Sequence, residues 1–390
     1  MIQKIIGLMK KETVLFIAGI LAVLSMFVVH PDRTYITYID FRTLAILFCL
    51  MTIVAAFRNM GVFDRMAAML LKQVKGLASV VLVMVLLCFF LSMVITNDVA
   101  LITFVPLTII VFRKLEETVR MRWMISCIVL QTVAANLGSM LTPIGNPQNL
   151  FLYGKALETG ALKGMENFLT LMLPYSLCSL LPLLICIAVI RWFWRRDVLV
   201  IGQAQLSELG EQEKLSHRSE HAVVYVLLFG VSLLTVAHMI PYPISFLMVF
   251  IYVWIRDRDI LKKVDYSLLA TFVALFIFIG NLGRISVFRA LLQQVIEGRE
   301  MFTAVLASQV MSNVPAAVLL EKFTDCIPAL IVGTNLGGLG TLIASMASLI
   351  SYKYIVRENP EAKGTYMVLF SVVNVVLLVI LCALAYYGIC

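Results

Sequence analysis

Charge is scarce in this chain. Only 14% of its 390 residues are Asp, Glu, Lys or Arg and 61% are hydrophobic, whereas soluble domains carry about a quarter charged. Histidine is scarcer still: His30, His217, His221 and His238 are scattered and form no zinc-type cluster. The eight cysteines (Cys49, Cys88, Cys127, Cys178, Cys186, Cys326, Cys382 and Cys390) lie mostly inside apolar runs, with no Cys-x-x-Cys pair. They read as small buried hydrophobes, not as a disulfide or metal framework. Gly337-Gly338-Leu339-Gly340 has neither the preceding strand nor the Gly-Lys-Ser/Thr of a phosphate loop, which argues against ATP-driven chemistry. An intramembrane aspartyl enzyme needs two lipid-buried acids, and one is found. An intramembrane enzyme is therefore the disfavoured reading, and no residue is assigned a catalytic role.

What the chain has in abundance is apolar length. Several runs reach the 17–25 residues or so that span a bilayer. The net charge of +8 does not point to nucleic acid, because Lys and Arg sit at the ends of apolar runs and form no stripe with aromatics. They signal topology. Lys4, Lys10 and Lys11 precede an apolar run from Val14 to Val29 with no small-residue cleavage site after it, which predicts an uncleaved first span with a cytoplasmic N-terminus.

Two of the apolar runs are interrupted, and the interruptions are duplicated. Residues 77–112 break at Thr96-Asn97-Asp98, and residues 301–323 break at Ser312-Asn313-Val314-Pro315. Each is followed by an apolar run that dissolves into small and polar residues. The first reads Asn136-Leu137-Gly138-Ser139-Met140-Leu141-Thr142-Pro143-Ile144-Gly145-Asn146-Pro147-Gln148-Asn149, the second Asn335-Leu336-Gly337-Gly338-Leu339-Gly340-Thr341-Leu342-Ile343-Ala344-Ser345. Asp40-Phe41 also pairs with Asp265-Tyr266, and Asn59-Met60-Gly61 with Asn281-Leu282-Gly283. Duplicated, interrupted membrane segments point to the binding site of a secondary transporter.

Basic clusters flank both ends of 77–112: Arg58, Arg65, Lys72 and Lys75 before it, Arg113, Lys114, Arg120 and Arg122 after it. Both ends then lie in the cytoplasm, and the segment is a re-entrant hairpin of two half-helices. The expected fold is an all-α polytopic membrane protein, an inverted-topology repeat with two re-entrant helical hairpins and two broken transmembrane helices. Residues 1–39 hold the N-terminal helix. Residues 40–195 form the first repeat, with its hairpin at 77–112 and broken helix at 123–160. Residues 196–220 make a cytoplasmic linker and 221–264 a connecting helical pair. Residues 265–390 form the second repeat, with its hairpin at 301–323 and broken helix at 327–351.

A break inside the bilayer strands backbone groups at several kcal/mol each, so it survives where it lines a cavity or coordinates something. Half-helix N-termini suit anions. Unwound carbonyls and Asn, Ser or Thr oxygens suit a small cation. The candidate substrate- or ion-binding residues are Thr96, Asn97, Asp98, Thr142, Asn146, Asn149, Ser312, Asn313, Thr334, Asn335, Thr341 and Ser345. A sodium ion would find ligands at Asn97, Asp98, Asn146 and Asn313; no other cofactor is implied. Asn97, Asp98 and Ser312 also read as N-caps of the following half-helices. Asp98 is the one carboxylate deep in an apolar segment, a functional residue by default. Gln131, Gln309 and Asn374 read as interhelical hydrogen-bonding residues.

These motifs resemble the ion transporter superfamily, which includes arsenite permeases, divalent anion:sodium symporters, citrate transporters and some sodium/proton antiporters. The resemblance runs from about Asp40 to the C-terminus. It rests on Asn97-Asp98, the Thr142–Asn149 run, Ser312-Asn313-Val314-Pro315 and Gly337–Thr341. The dicarboxylate symporters resemble one another in a Ser-Asn-Thr tip in both copies; here the third positions are Asp98 and Val314, closer to the arsenite-permease branch. The resemblance implies a multi-pass cell-membrane (in a bacterium, inner-membrane) carrier of a small inorganic anion or oxyacid. It would be driven by a proton or sodium gradient, work by elevator-like alternating access, and form a homodimer. A sodium/proton antiporter or a dicarboxylate symporter is the alternative. The expected partners are the ion and the lipid bilayer, with no nucleic acid.

Overall fold

The computed structural model describes residues 12–74, 76–113, 115–194 and 221–389. Lys4, Lys10, Lys11, Lys75, Lys114, Arg195, Arg196, His217 and the expected linker lie outside them. Among the described residues the chain is helical throughout, with no strand, and five helices are long and apolar enough to cross a membrane.

The first copy begins at α3 (Phe41–Asn59), after α1 (Thr13–Val28) and the single turn α2 (Tyr35–Tyr38). A short α4 (Val62–Leu71) leads to the pair α5 (Leu77–Ile95) and α6 (Asn97–Phe112), then α7 (Glu117–Ser139), α8 (Pro147–Glu158) and α9 (Met165–Phe193). After α10 (Ala222–Val236), α11 (Tyr242–Arg256) and the turn α12 (Arg258–Leu261) the order recurs. It runs α13 (Tyr266–Arg284), α14 (Ser286–Ile296), the pair α15 (Glu300–Met311) and α16 (Asn313–Glu321), α17 (Ile327–Leu336), α18 (Met346–Glu358) and α19 (Lys363–Ile389).

The copies agree in backbone detail. Asp40 and Asp265 cap α3 and α13 with φ/ψ of −81°/85° and −80°/82°, each accepting from the N–H three residues on. The packing is also exchanged between copies. α1 lies against α13 of the second copy, while α10 and α11 lie against α3 of the first. Phe48, Ile53, Tyr225, Val249 and Val253 fill that second contact.

The broken helices interlock the two halves. α7 packs on α5 and α6 of its own hairpin, but α8, beyond the break, packs on α16 and α17. Likewise α17 packs on α15 and α16, while α18 crosses to α6 and α7. Neither repeat can bury its hairpin alone, so the core (Phe89, Phe104, Phe112, Phe151, Leu330) is shared between them.

Two helices extend beyond the apolar stretches that announced them. α7 starts at Glu117, not 123, and α18 runs to Glu358, not 351. Glu117 pairs with Arg120 at 3.8 Å, and Arg113 reaches Glu358 at 3.2 Å. Hydropathy ends where lipid ends, but the hydrogen-bond ladder continues into water where charged side chains support it.

Candidate functional site

Both hairpins turn on a residue that is not glycine. Thr96 has φ 73° and ψ 152°, Ser312 φ 76° and ψ 154°. This region is essentially restricted to glycine and costs on the order of 1–3 kcal/mol for any other residue. The unwound loops offset the strain by satisfying both sides of each break. Beyond it, Asn97 N–H donates to Gly145 O at 3.2 Å, and Asn313 N–H to Ala344 O at 3.0 Å. Before it, the Thr142 hydroxyl donates to Met93 O, and the Thr341 hydroxyl to Gln309 O at 3.1 Å. Met93 and Gln309 each lie three residues before the turn.

This corrects the capping expectation. Thr96 and Ser312 occupy the N-cap positions, and neither side chain makes a capping bond. Asn97 sits inside the first turn, its Oδ1 accepting from Asp98 N–H at 2.8 Å. Asp98 caps nothing: its Oδ1 is buried without a hydrogen-bond partner.

Behind the tips, two asparagines related by the repeat cross into the opposite copy. Asn136 Oδ1 accepts from Asn97 Nδ2 and from Ser345 Oγ, both at 3.0 Å, and Asn136 Nδ2 lies 3.4 Å from Ser348 Oγ. Asn335 Oδ1 accepts from Asn146 Nδ2 at 3.4 Å, and Asn335 Nδ2 donates to Asn149 Oδ1 at 2.6 Å. In register, 136 matches 335, 146 matches 345 and 149 matches 348, so each amide makes the same two reaches. Asn146 also donates to Ser139 Oγ at 2.8 Å, and its Oδ1 is buried without a partner. Asn313 lies beside Gly338, which has no side chain to displace it.

Most of the candidates named from the sequence therefore meet at one polar seam. Thr334 does not take part by its side chain, which bonds back to Leu330 O at 2.7 Å. Thr341 is exposed, at the edge. Asn136 was not among the candidates, although its register with Asn335 was the available signal. Gln309 does more than join helices: its Nε2 donates to Gly337 O at 2.9 Å and Leu339 O at 3.0 Å, while its Oε1 accepts from Thr341 N–H. Gln131 accepts from Thr108 on a neighbouring helix, as expected. Asn374 donates to Phe370 O of its own helix, so the interhelical expectation fails there.

A cavity of about 500 Å³ reaches the first tip. Leu47, Leu50, Val54, Val99, Ile102 and Leu268 form apolar walls; Thr96, Asp98, Ile144 and Pro147 form its floor; Arg58, Asn59, Lys263 and Asp265 ring its mouth. Lys263 Nζ donates to Asn59 Oδ1, tying the end of α3 to the start of the second copy. A second cavity, of about 290 Å³, lies between Asp40, the cap of α3, Arg42 in its first turn, Lys155 and Glu158 of α8 and Glu321 of α16. Ser312, Asn313 and Val314 are not among its lining residues, so this cavity stops short of the second tip.

Residues 1–323 match the family described as citrate transporter. The chain is 30% identical to an uncharacterized transporter of Methanocaldococcus jannaschii over 97% of this chain and 99% of that protein. It is 29% identical to the inner membrane protein YbiR of Escherichia coli over 85% of this chain and 84% of the other. The P protein of Homo sapiens is 28% identical over 51% of this chain and 23% of its own length.

Proposed function

Because the chain belongs to the citrate transporter family, and so is a membrane transporter, we propose that it is a secondary active carrier of a small anion or oxyacid coupled to protons or sodium. The observation that carries this is the seam itself: two hairpin turns share one backbone geometry, and Asn136 and Asn335 each reach from their own repeat into the opposite one. Unwound backbone of this kind is tolerated in a bilayer only where it lines a cavity or is buried in protein.

The coupling cation belongs at the first tip. Asp98 Oδ1 and Asn146 Oδ1 are buried acceptors without donors, and such atoms are few in native proteins. A proton on Asp98, or a sodium ion sharing Asn97, Asp98 and Asn146, supplies what they lack. The second tip has Val314 where the first has Asp98. By the positive-inside rule the basic loop residues beside the mouth of the larger cavity, Arg58, Arg65 and Lys72 with Arg256, Arg258, Lys262 and Lys263, assign it to the cytoplasm, which makes the described conformation inward-open under this reading. Alternating access then requires the hairpins and broken helices to move as a body against α3 and α13.

A sodium/proton antiporter is the second reading, favoured by the same unpartnered acceptors, which need no anion. Purified protein in proteoliposomes separates the two. Imposed sodium or pH gradients should drive uptake of arsenite, sulfate, phosphate or carboxylates under the first reading, and sodium–proton exchange alone under the second. Asp98→Asn, which removes the charge at nearly constant volume, should yield folded protein whose flux no longer follows the gradient. Wild-type coupled flux in that variant would remove Asp98 from the mechanism.

A further inference from the structure

The charges around the larger cavity limit what can occupy it. Its floor is made by the first residues of two helices: Asp98 in the first turn of α6, and Pro147, the first residue of α8. Each helix N-terminus carries about +0.5 of a unit charge. Together they come to about one positive charge, which the carboxylate of Asp98 cancels. No basic side chain lines the floor or the walls; Arg58 and Lys263 stand only at the exposed mouth, with Asp265 between the two repeats there. The corresponding floor at the second tip, α16 with Val314, does not line this cavity.

The floor therefore has no net attraction for an anion while Asp98 is charged and uncompensated. A monovalent cation at Asp98 restores about one positive charge, enough for one anionic group and no more. A second or third carboxylate would have to lie against Leu47, Leu50 or Ile102, where an unpaired charge costs several kcal/mol or more. Resting on the reading that this is a cation-coupled carrier, we propose that its substrate is a monovalent anion, taken up with one cation in a net-neutral complex, and that di- and tricarboxylates are excluded. Arg58 and Lys263 serve as the collecting charges at the mouth, raising local anion concentration without contributing to the bound state.

The test is a valence series on the full chain in proteoliposomes. Formate, acetate and lactate are compared with succinate and citrate as competitors and as substrates, with current recorded on a solid-supported membrane. Monoanions should be carried under a cation gradient with no net current, and succinate and citrate should compete at least about tenfold more weakly. Arg58→Gln with Lys263→Gln should raise KM for the monoanion and leave kcat in place, and the effect should shrink as salt rises. Asp98→Asn should still carry the monoanion down its own gradient without a cation gradient, now with a current. Preferred transport of succinate or citrate, or a current in the wild type, overturns the inference while leaving the transporter reading intact. Absence of flux for every anion, with sodium–proton exchange present, overturns both the inference and the anion-carrier reading on which it rests.

Discussion

At the scale of single residues, the tips depend on atoms that have no room to change. A methyl group on Gly138 would run into the Phe89 carbonyl, and one on Gly145 into the carbonyl of Ser139. A backbone oxygen cannot rotate away as a side chain can, and overpacking of this kind costs about 1–3 kcal/mol. Gly138→Ala and Gly145→Ala are thus expected to lower the melting midpoint in detergent. Gly283→Ala, with nothing within 4 Å, should hold or raise it. Thr96 and Ser312 make the opposite case, since each holds a glycine conformation with a side chain attached. Thr96→Gly should cause no loss of stability, and a clear drop in its midpoint would show that the threonine side chain contributes more than its strain takes away.

At the scale of elements, the hairpin is the device to test. α5 and α6 pack on each other on either side of Thr96, so Lys72 and Arg113, just outside their ends, should face the same side of the membrane. Single cysteines at these two positions, on a cysteine-free background, should react with an impermeant maleimide from the cytoplasmic side only. Labelling from opposite sides would mean that 77–112 is a full crossing. Much of this level was legible in the sequence. The breaks at Asn97 and Asn313 and the duplicated Asn-Leu-Gly runs announced themselves, because polar residues in a lipid-facing run have few reasons to be there. Helix ends were less legible, as α7 and α18 show, because apolar patterning reports lipid contact and not hydrogen bonding. The capping expectation failed for a related reason: Asn97 and Asp98 are good caps in water, but here loop carbonyls and Thr142 already satisfy the break.

At the scale of the whole molecule, the two cavities are placed alike relative to the repeats and differ in depth. The one at Asp265 reaches Thr96 and Asp98, whereas the one at Asp40 is lined by Val318, Lys155, Glu158 and Glu321 and by none of Ser312, Asn313 and Val314. Lys155 is held by Glu158 at 2.7 Å on that closed side. Cysteine substituted for Ile102 should accordingly react with an impermeant reagent from the Arg58 side and be blocked from the other. Cysteine at exposed Lys322, which lines the second cavity, should show the reverse, and cysteine at buried Val314 should react from neither. Equal reactivity of Ile102→Cys from both faces would mean an open pore and not a carrier.

The sequence by itself determined the membrane class, the two breaks at Thr96 and Ser312, the duplication and most of the polar residues at the breaks. Each of these is a local conflict between lipid and a polar group, visible wherever it occurs in the chain. Only the tertiary structure decided which of those residues meet. Asn136 and Asn335 cross into opposite copies because α8 and α18 each pack on the other repeat's hairpin, a long-range exchange that no periodicity records. The tertiary structure also separated Thr334, which bonds within its own helix, from Gln309, which holds the second loop. And it set Asp98 at the floor of a one-sided apolar cavity with its basic residues at the mouth, because that depends on how α3, α6, α8 and α13 come together in space.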